Sequence, residues 1–196
     1  EMLDLTEGGC MNEGIVSTEL GLKGMPAEAE DIMVYRDIAL LEKTGGRLHV
    51  AHISSKNSVD LVRQAKSRGL SVTCEVAPHH FTLTDEAVRG YDTNTKMSPP
   101  LRTISDVDAI KKGLKDGTID IIATDHAPHD IVDKQVEYQN ACFGIVGLET
   151  ALPLSLKLVD EKILSMSELI KKLTSTPAGI FNLSSGNLSL GNDADI

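Results

Sequence analysis

Residues 119–129 read IDIIATDHAPH, and this stretch decides how the rest of the chain is interpreted. Its first half is bulky and apolar apart from Asp120, as expected for a strand buried on both faces of a parallel sheet. One aspartate and two histidines follow directly: Asp125, His126 and His129. In barrels of alternating strands and helices, catalytic groups collect at the C-terminal ends of the strands. The stretch therefore predicts a catalytic or metal-binding strand end; the alternative is an acidic loop with a capping aspartate and surface histidines.

Two upstream segments are also predicted to be strands with histidines at their ends. RLHVAHIS (residues 47–54) begins with alternating apolar and polar residues and leads to His52. LSVTCEV (residues 70–76) stops shortly before the pair His79 and His80. With the stretch at 119–129, the chain has three predicted strands that end in ionisable residues.

Helical patterns separate these strands. A helix is predicted from Pro26, another after a cap at Ser54 or Ser55, a third after a cap at Ser105, and a short one from Pro177. The alternation of helix and strand predicts a parallel sheet with helices outside it, either a barrel or an open doubly wound sheet. Because no Gly-x-Gly-x-x-Gly or Walker A sequence follows a strand, nucleotide-binding variants are disfavoured.

Composition narrows the possible partners. The 196-residue chain has a net charge of −10, no Trp and only 3% aromatic residues. These values disfavour nucleic acid and anionic membranes as partners, and no apolar run is long enough for a membrane span. The odd, widely spaced cysteines fit neither a disulfide framework nor a zinc knuckle, so buried reduced thiols in the cytoplasm are expected. The N-terminus lacks signal-peptide features, and a chain beginning with Glu is expected to be a piece of a longer protein.

His52 and Asp125 are the candidate metal ligands. In a barrel the ends of their strands face the same rim, so the two side chains can meet although they lie 73 positions apart in the chain. Imidazole plus carboxylate without a thiolate pattern suits Zn²⁺ or a similar divalent ion. The alternative for His52 is a structural histidine held by a backbone hydrogen bond.

The other polar residues near these strand ends receive weaker assignments. His79 and His80 are predicted to lie in a tight turn in which one ring is buried and supports the metal ligands, rather than to bind metal directly. His126 is expected to point away from Asp125. His129 can face a substrate or be an ordinary loop histidine, and Arg102 can meet a substrate anion but is more simply explained by a surface salt bridge.

Five motifs together resemble the dihydroorotase family of the amidohydrolase superfamily. They are ATDHAPH (123–129), KMSPPLR (96–102), EVAPHH (75–80), AHISSKNSV (51–59) and FGIVGLETALPL (143–154). The resemblance implies a distorted (β/α)8 barrel, an α/β fold of the TIM type, with a β-sandwich built from both chain ends. On this pattern residues 1–185 are the second half of the barrel, the chain being an N-terminally truncated portion. Residues 186–196 begin the C-terminal segment of the sandwich.

The resemblance also implies an activity. Family members use zinc to interconvert dihydroorotate and N-carbamoyl-L-aspartate in de novo pyrimidine biosynthesis. His52 is then a zinc ligand, and Asp125 both binds zinc and moves the proton from the attacking water to the leaving nitrogen. One or two zinc ions are implied, and the remaining ligands lie upstream of residue 1. The chain alone is therefore expected to be inactive.

Substrate contacts follow from the same resemblance. His129 corresponds to the residue that holds the substrate carboxylate, and the backbone at Phe143 and Gly144 to the segment that contacts the pyrimidine ring. Ser98 stands where the family usually has a substrate-binding Asn, so contact there can run through water.

Two alternatives stay open. A related cyclic amidase such as allantoinase is opposed by the Asp motif and by FGIVGLET. A non-catalytic barrel subunit that assembles with aspartate transcarbamoylase is opposed by the retention of His52, Asp125 and His129. The expected protein is a cytoplasmic homodimer acting on a small molecule, with aspartate transcarbamoylase as a possible partner.

Overall fold

The computed structural model describes residues 1–186 and 190–191. Its helices and strands alternate along most of the chain. In chain order they are α1 (Leu3–Thr6), β1 (Met11–Asn12), α2 (Ile15–Leu20), β2 (Gly24–Met25), α3 (Glu28–Thr44), β3 (Leu48–Val50), α4 (Lys56–Ser67), β4 (Val72–Val76), α5 (Pro78–Thr82), two 3-10 helices (Asp85–Gly90 and Thr93–Thr95), α6 (Ile104–Asp116), β5 (Ile121–Ile122), α7 (Ile131–Lys134), α8 (Ala151–Asp160), α9 (Met166–Leu173) and α10 (Ser175–Phe181).

The sheet that positions the site is parallel and has the order β3-β4-β5. Leu48 pairs with Val72, and Glu75 pairs with Ile121. The helices α4 and α6 connect these strands, as parallel pairing requires. The three strands therefore run in one direction, and their C-terminal ends lie at one edge of the sheet.

Asp120, the one polar residue in the first half of the stretch 119–129, directly precedes β5 and binds groups of β4 and α4. Its carboxylate accepts a hydrogen bond from the backbone N–H of Cys74 at 2.9 Å and pairs with Lys66 Nζ at 2.7 Å. The side chain thus joins β5 to both β4 and α4. An acid in a strand otherwise suited to burial is stabilised here because both its partners are donors.

The core lies between the sheet and its helices. Its members are aliphatic side chains from β4, β5 and the inner faces of α3, α4, α6, α8 and α9, including Val59, Val62, Val72, Val76, Ile110, Ile119, Ile122, Leu158 and Leu169. Cys10 and Cys74 are buried free thiols, as expected, whereas Cys142 is only partly buried.

Helix starts follow the predicted capping chemistry with one exception. The Ser55 side chain caps α4 by accepting from the backbone N–H of Ser58. The predicted cap at Ser105 is wrong, because Ser105 lies inside α6. Thr103 caps that helix, its backbone N–H donating to the Asp106 carboxylate at 3.1 Å in a capping box.

Arg102 is buried, so the predicted surface salt bridge is wrong. Only 2% of the residue is exposed. Its guanidinium donates to Asn12 Oδ1 at 3.1 Å, the Met25 carbonyl at 2.9 Å, Ser54 Oγ at 3.1 Å and Glu1 Oε1 at 3.1 Å. Arg102 thereby connects the two-stranded β1–β2 sheet to the loop that follows β3.

The predicted beginning of a β-sandwich at residues 186–196 falls largely outside the described residues, which omit 187–189 and 192–196. It stays a prediction. Within the part of the chain that the structure describes, no helix is both long enough and apolar enough to cross a membrane.

Candidate metal centre and substrate cavity

Three side chains meet at the C-terminal edge of the parallel sheet. His52 follows β3, Glu75 is in β4 and Asp125 follows β5. His52 Nδ1 lies 3.1 Å from Glu75 Oε1, and His52 Nε2 lies 3.7 Å from Asp125 Oδ1. The structure therefore brings together His52 and Asp125, which the sequence singled out, and adds Glu75, which it did not.

The backbone at both candidate ligands is left-handed. His52 has a φ of 52° and Asp125 a φ of 47°. Residues other than glycine enter this region at a cost of about 1–3 kcal/mol, and such residues cluster at functional sites. Two residues in this strained region, one after β3 and one after β5, have their side chains turned toward each other, which makes this edge the candidate functional site.

Glu75 orients His52 from the side away from Asp125. One carboxylate oxygen contacts His52 Nδ1, and the other is 3.1 Å from His49 Nε2. Carboxylates often hold metal-binding histidines in this way, fixing which ring nitrogen faces the metal. Because Nδ1 faces Glu75, Nε2 is left toward Asp125 and the site.

These contacts, together with burial, shift the pKa values of His52, Glu75 and Asp125. The pKa of His52 is raised because Glu75 stabilises the charged ring; burial opposes this shift, and Asp125 adds to it. Burial raises the pKa of the Glu75 carboxyl, but pairing with His52 and His49 outweighs burial and lowers it below its ordinary value. Burial, with the nearby Glu75 charge, raises the pKa of Asp125, while His52 opposes this. An acid with a raised pKa is suited to receiving a proton.

The residues fit a divalent cation. Among the described residues, the buried side-chain nitrogens and oxygens without a hydrogen-bond partner include Asp125 Oδ2 and His79 Nε2. The 3.7 Å between His52 Nε2 and Asp125 Oδ1 is too long for a hydrogen bond. It is close to the separation of about 3.4 Å between two ligands of one tetrahedral Zn²⁺. His52 and Asp125 would be the ligands from this chain, with Glu75 supporting His52.

His79 and His80 are buried beside this centre. The His80 ring contacts the Pro99 carbonyl through Nε2 at 3.0 Å, and the two ring centroids are 4.3 Å apart. Burial, together with the nearby His52, lowers the pKa of His79 to about 4. Burial also holds the pKa of His80 well below its ordinary value. Both rings are therefore neutral near pH 7, and the supporting role predicted for them stays a prediction.

A cavity of about 590 Å³ opens next to His52. Ser98 and Phe143, both predicted to contact substrate, are among its lining residues, together with Lys96 and Glu1. Ser98 Oγ donates to Glu1 Oε2 at 3.0 Å. The Lys96 ammonium lies 4.5 Å from the centre of the Phe143 ring. The cavity thus has a polar wall, and it is large enough for a small cyclic molecule.

Gly144 lies where only glycine fits. Its φ is 155°, and a Cβ would come within 2.4 Å of the Ala127 carbonyl oxygen and 2.9 Å of His129 Cδ2. Its N–H donates to the Lys96 carbonyl at 2.9 Å. His129 is exposed, and its Nε2 donates to the Phe143 carbonyl at 2.9 Å. The structure therefore places the predicted substrate residues 129, 143 and 144 in one contact group.

Lys134 holds this group together and was missed by the sequence analysis. Its ammonium donates to the carbonyls of Thr93 at 3.1 Å, Cys142 at 2.8 Å and Gly144 at 2.8 Å. Three carbonyl acceptors satisfy all three N–H groups of a lysine. His126, by contrast, uses Nδ1 to accept a hydrogen bond from the Gly147 N–H at 3.0 Å.

The fold is that of the amidohydrolase family. A model of the amidohydrolase family matches residues 10–196, and the chain belongs to that family. The structure is similar to L-hydantoinase (dihydropyrimidinase) from Arthrobacter aurescens, with a TM-score of 0.82, 29% identity, and coverage of 95% of this chain and 46% of the other. D-hydantoinase from a Thermus species gives a TM-score of 0.81 at 26% identity, covering 97% and 42% of the two chains. These likenesses confirm the α/β class and are consistent with the predicted portion of a (β/α)8 barrel.

Within this family the chain is similar to dihydroorotases, which confirms the predicted resemblance. The dihydroorotase of Trichlorobacter lovleyi is 60% identical to it over 196 residues, and that of Geotalea daltonii is 59% identical. Each alignment covers 100% of this chain and 46% of the relative. The chain thus spans about half the length of the curated relatives that it matches.

Proposed function

We propose that the complete protein containing this chain is a zinc-dependent dihydroorotase, a hydrolase that opens and closes the cyclic amide of dihydroorotate. The observation that carries the proposal is the meeting of His52, Glu75 and Asp125 at one edge of the sheet, in a chain that is 60% identical to a dihydroorotase. The pathway role, de novo pyrimidine biosynthesis in the cytoplasm, and a homodimeric state belong to the same proposal.

His52 and Asp125 would hold the metal from this chain, with further ligands supplied by the rest of the protein. A bound divalent cation supplies Lewis acidity and makes water a stronger acid. One imidazole and one carboxylate suit zinc better than magnesium, which prefers oxygen ligands alone. Glu75 contributes by presenting His52 Nε2 toward the site.

Asp125 is the proton carrier of the proposed reaction. Its Oδ1 faces His52, and its Oδ2 is buried without a hydrogen-bond partner among the described residues. In the hydrolytic direction the carboxylate accepts a proton from the attacking water and then delivers it to the ring nitrogen as the amide bond breaks. The raised pKa of Asp125 favours the first of these transfers.

Substrate would lie in the cavity beside His52. His129 is proposed to pair with the substrate carboxylate, and the Phe143–Gly144 backbone to contact the ring. Ser98 reaches the cavity where Asn is usual in the family, and its shorter side chain favours contact through a bridging water.

The test is an assay of dihydroorotate and N-carbamoyl-aspartate interconversion by the complete, zinc-loaded protein. Turnover in the wild type that falls by about 10³-fold or more in Asp125→Ala supports the proposal, since removal of a proton carrier costs about 10²–10⁴-fold. Asp130→Ala, an exposed acid five residues away, is the matched control and should retain activity. Near-normal turnover in Asp125→Ala would refute the role of Asp125.

Two outcomes of the same assay would favour the rival functions. Hydrolysis of allantoin with no activity toward dihydroorotate would identify a different cyclic amidase. Absence of any turnover, together with a stable complex with aspartate transcarbamoylase, would identify a non-catalytic subunit.

A further inference from the structure

A second cluster of side chains that can bind a metal includes the proposed substrate residue His129. One ligand atom each from His129, Asp133 and Cys142 lies within 4.8 Å of the others. His129 and Asp133 are exposed, and Cys142 is partly buried. The cluster shares no residue with the candidate centre at His52 and Asp125, and it contains the one kind of ligand, a thiol, that the candidate centre lacks.

The separations suit a small change of side-chain position on metal binding. Ligands of a tetrahedral Zn²⁺ lie about 3.3–3.8 Å apart, given Zn–N distances near 2.0 Å and Zn–S distances near 2.3 Å. The three side chains therefore need to close by about 1 Å. The exposed side chains of His129 and Asp133 can move this far by rotation about their own bonds.

The backbone already holds the three residues together. The Cys142 N–H donates to the Asp133 carbonyl at 3.3 Å, and Lys134 Nζ donates to the Cys142 carbonyl at 2.8 Å. His129 Nε2 faces the Phe143 carbonyl at 2.9 Å. Since a carbonyl can only accept, Nε2 carries a proton in this contact, and Nδ1 is the ring nitrogen that this hydrogen bond does not use.

We propose that His129, Asp133 and Cys142 form a separate binding site for a thiophilic divalent metal such as Zn²⁺ or Co²⁺, and that its occupation inhibits the enzyme. Thiolate, imidazole and carboxylate together select zinc-like ions over Mg²⁺ or Ca²⁺. A metal bound to His129 removes this ring from the substrate. The inhibitory part rests on the proposed function, in which His129 pairs with the substrate carboxylate; the binding part does not.

The binding part is tested with Co²⁺ added to the complete protein whose primary centre is already filled with zinc. A thiolate bound to Co²⁺ gives a near-ultraviolet charge-transfer band, which imidazole and carboxylate ligands do not give. We expect the band in the wild type, and we expect it in Cys10→Ser, which removes a buried cysteine outside the cluster. It should be absent in Cys142→Ser, and Asp133→Asn should weaken Co²⁺ binding about tenfold or more. Failure of the wild type to give the band, or its persistence in Cys142→Ser, would overturn the proposal.

The inhibitory part is tested with added Zn²⁺ in the dihydroorotate assay. We expect added zinc to raise the apparent KM of the wild type with little change in kcat, and Cys142→Ser to be insensitive to the same concentration. Equal inhibition of the wild type and Cys142→Ser would refute an inhibitory role for this site. A protein that gives the Cys142-dependent band but has no dihydroorotate activity would support the metal site and refute the proposed function alone.

Discussion

Replacing Glu75 by Gln tests whether this carboxylate supports the candidate metal centre. The substitution keeps the size of the side chain but removes its charge. Glu75 contacts His52 Nδ1 and His49 Nε2 at 3.1 Å each, and these contacts lower its pKa. A hydrogen bond to a charged group contributes about 1.5–3 kcal/mol and a neutral one about 1 kcal/mol, so the contact with His52 should weaken by about 0.5–2 kcal/mol.

This loss should appear as weaker metal binding, because His52 is held less firmly with Nε2 toward the metal. A change of about 0.5–2 kcal/mol corresponds to about a 2- to 30-fold increase in Kd. The measurement is competition for zinc between the complete protein and a chromophoric chelator. Glu42→Gln, which removes a surface acid paired with Arg68, is the matched control and should bind zinc as the wild type does. Equal zinc affinity in Glu75→Gln and wild type would refute the role of Glu75.

Three further predictions concern stability and the substrate group. Because burial lowers the pKa of His79 from 6.5 to about 4, the unfolded chain takes up a proton first as the pH falls. Metal-free protein should therefore lose about 2.5 kcal/mol of stability between pH 7 and about pH 4.5 through this residue, and a urea titration of His79→Gln should show a smaller loss. Arg102→Met should destabilise the protein by about 3–5 kcal/mol, measured by urea unfolding, because it leaves buried acceptors such as Asn12 Oδ1 unpaired; a loss below about 1 kcal/mol would contradict this. Gly144→Ala should raise the KM for dihydroorotate about tenfold or more while zinc binding stays unchanged, because the new Cβ would displace the loop from Ala127; an unaltered KM would show that the loop does not contact substrate.

The alternation of strands and helices could be predicted from the sequence because it depends on local periodicity. The strand at Ile121–Ile122 follows from a run of bulky apolar residues, and the helix at Lys56–Ser67 follows from apolar spacing and a capping serine. The cap of α6 could not be resolved in the same way. Thr103 and Ser105 are both good capping residues, and only the reach of the Asp106 side chain decides between them.

The sequence pointed to His52 and Asp125 as candidate ligands, which remains a prediction, but it gave no role to Glu75. His52 and Asp125 were visible because they terminate predicted strands. Glu75 lies inside a strand, where an acid among apolar residues was the only signal of a special role. Its partners His49 and His52 come from the neighbouring strand, so pairing becomes apparent only once the register of β3 and β4 is known.

The role of Arg102 depends on contacts that are still more distant in sequence. Its partners Glu1, Asn12 and Ser54 come from three separate segments. A prolyl turn with one arginine is typical of a surface loop, and only the arrival of these segments converts it into a buried junction. The contacts of Lys134 could not be predicted for a different reason. Its partners are main-chain carbonyls, which carry no sequence signal.

The left-handed backbone at His52 and Asp125 sets stability and activity against each other. At both positions glycine would adopt the observed φ without strain, and asparagine with less strain than most residues. A lineage selected for thermal resistance alone would be expected to drift toward those residues at both sites. His52 and Asp125 instead keep an imidazole and a carboxylate facing each other, at a cost in stability of about 1–3 kcal/mol for each residue. Replacing either residue by glycine or asparagine should therefore stabilise the fold and abolish the proposed activity.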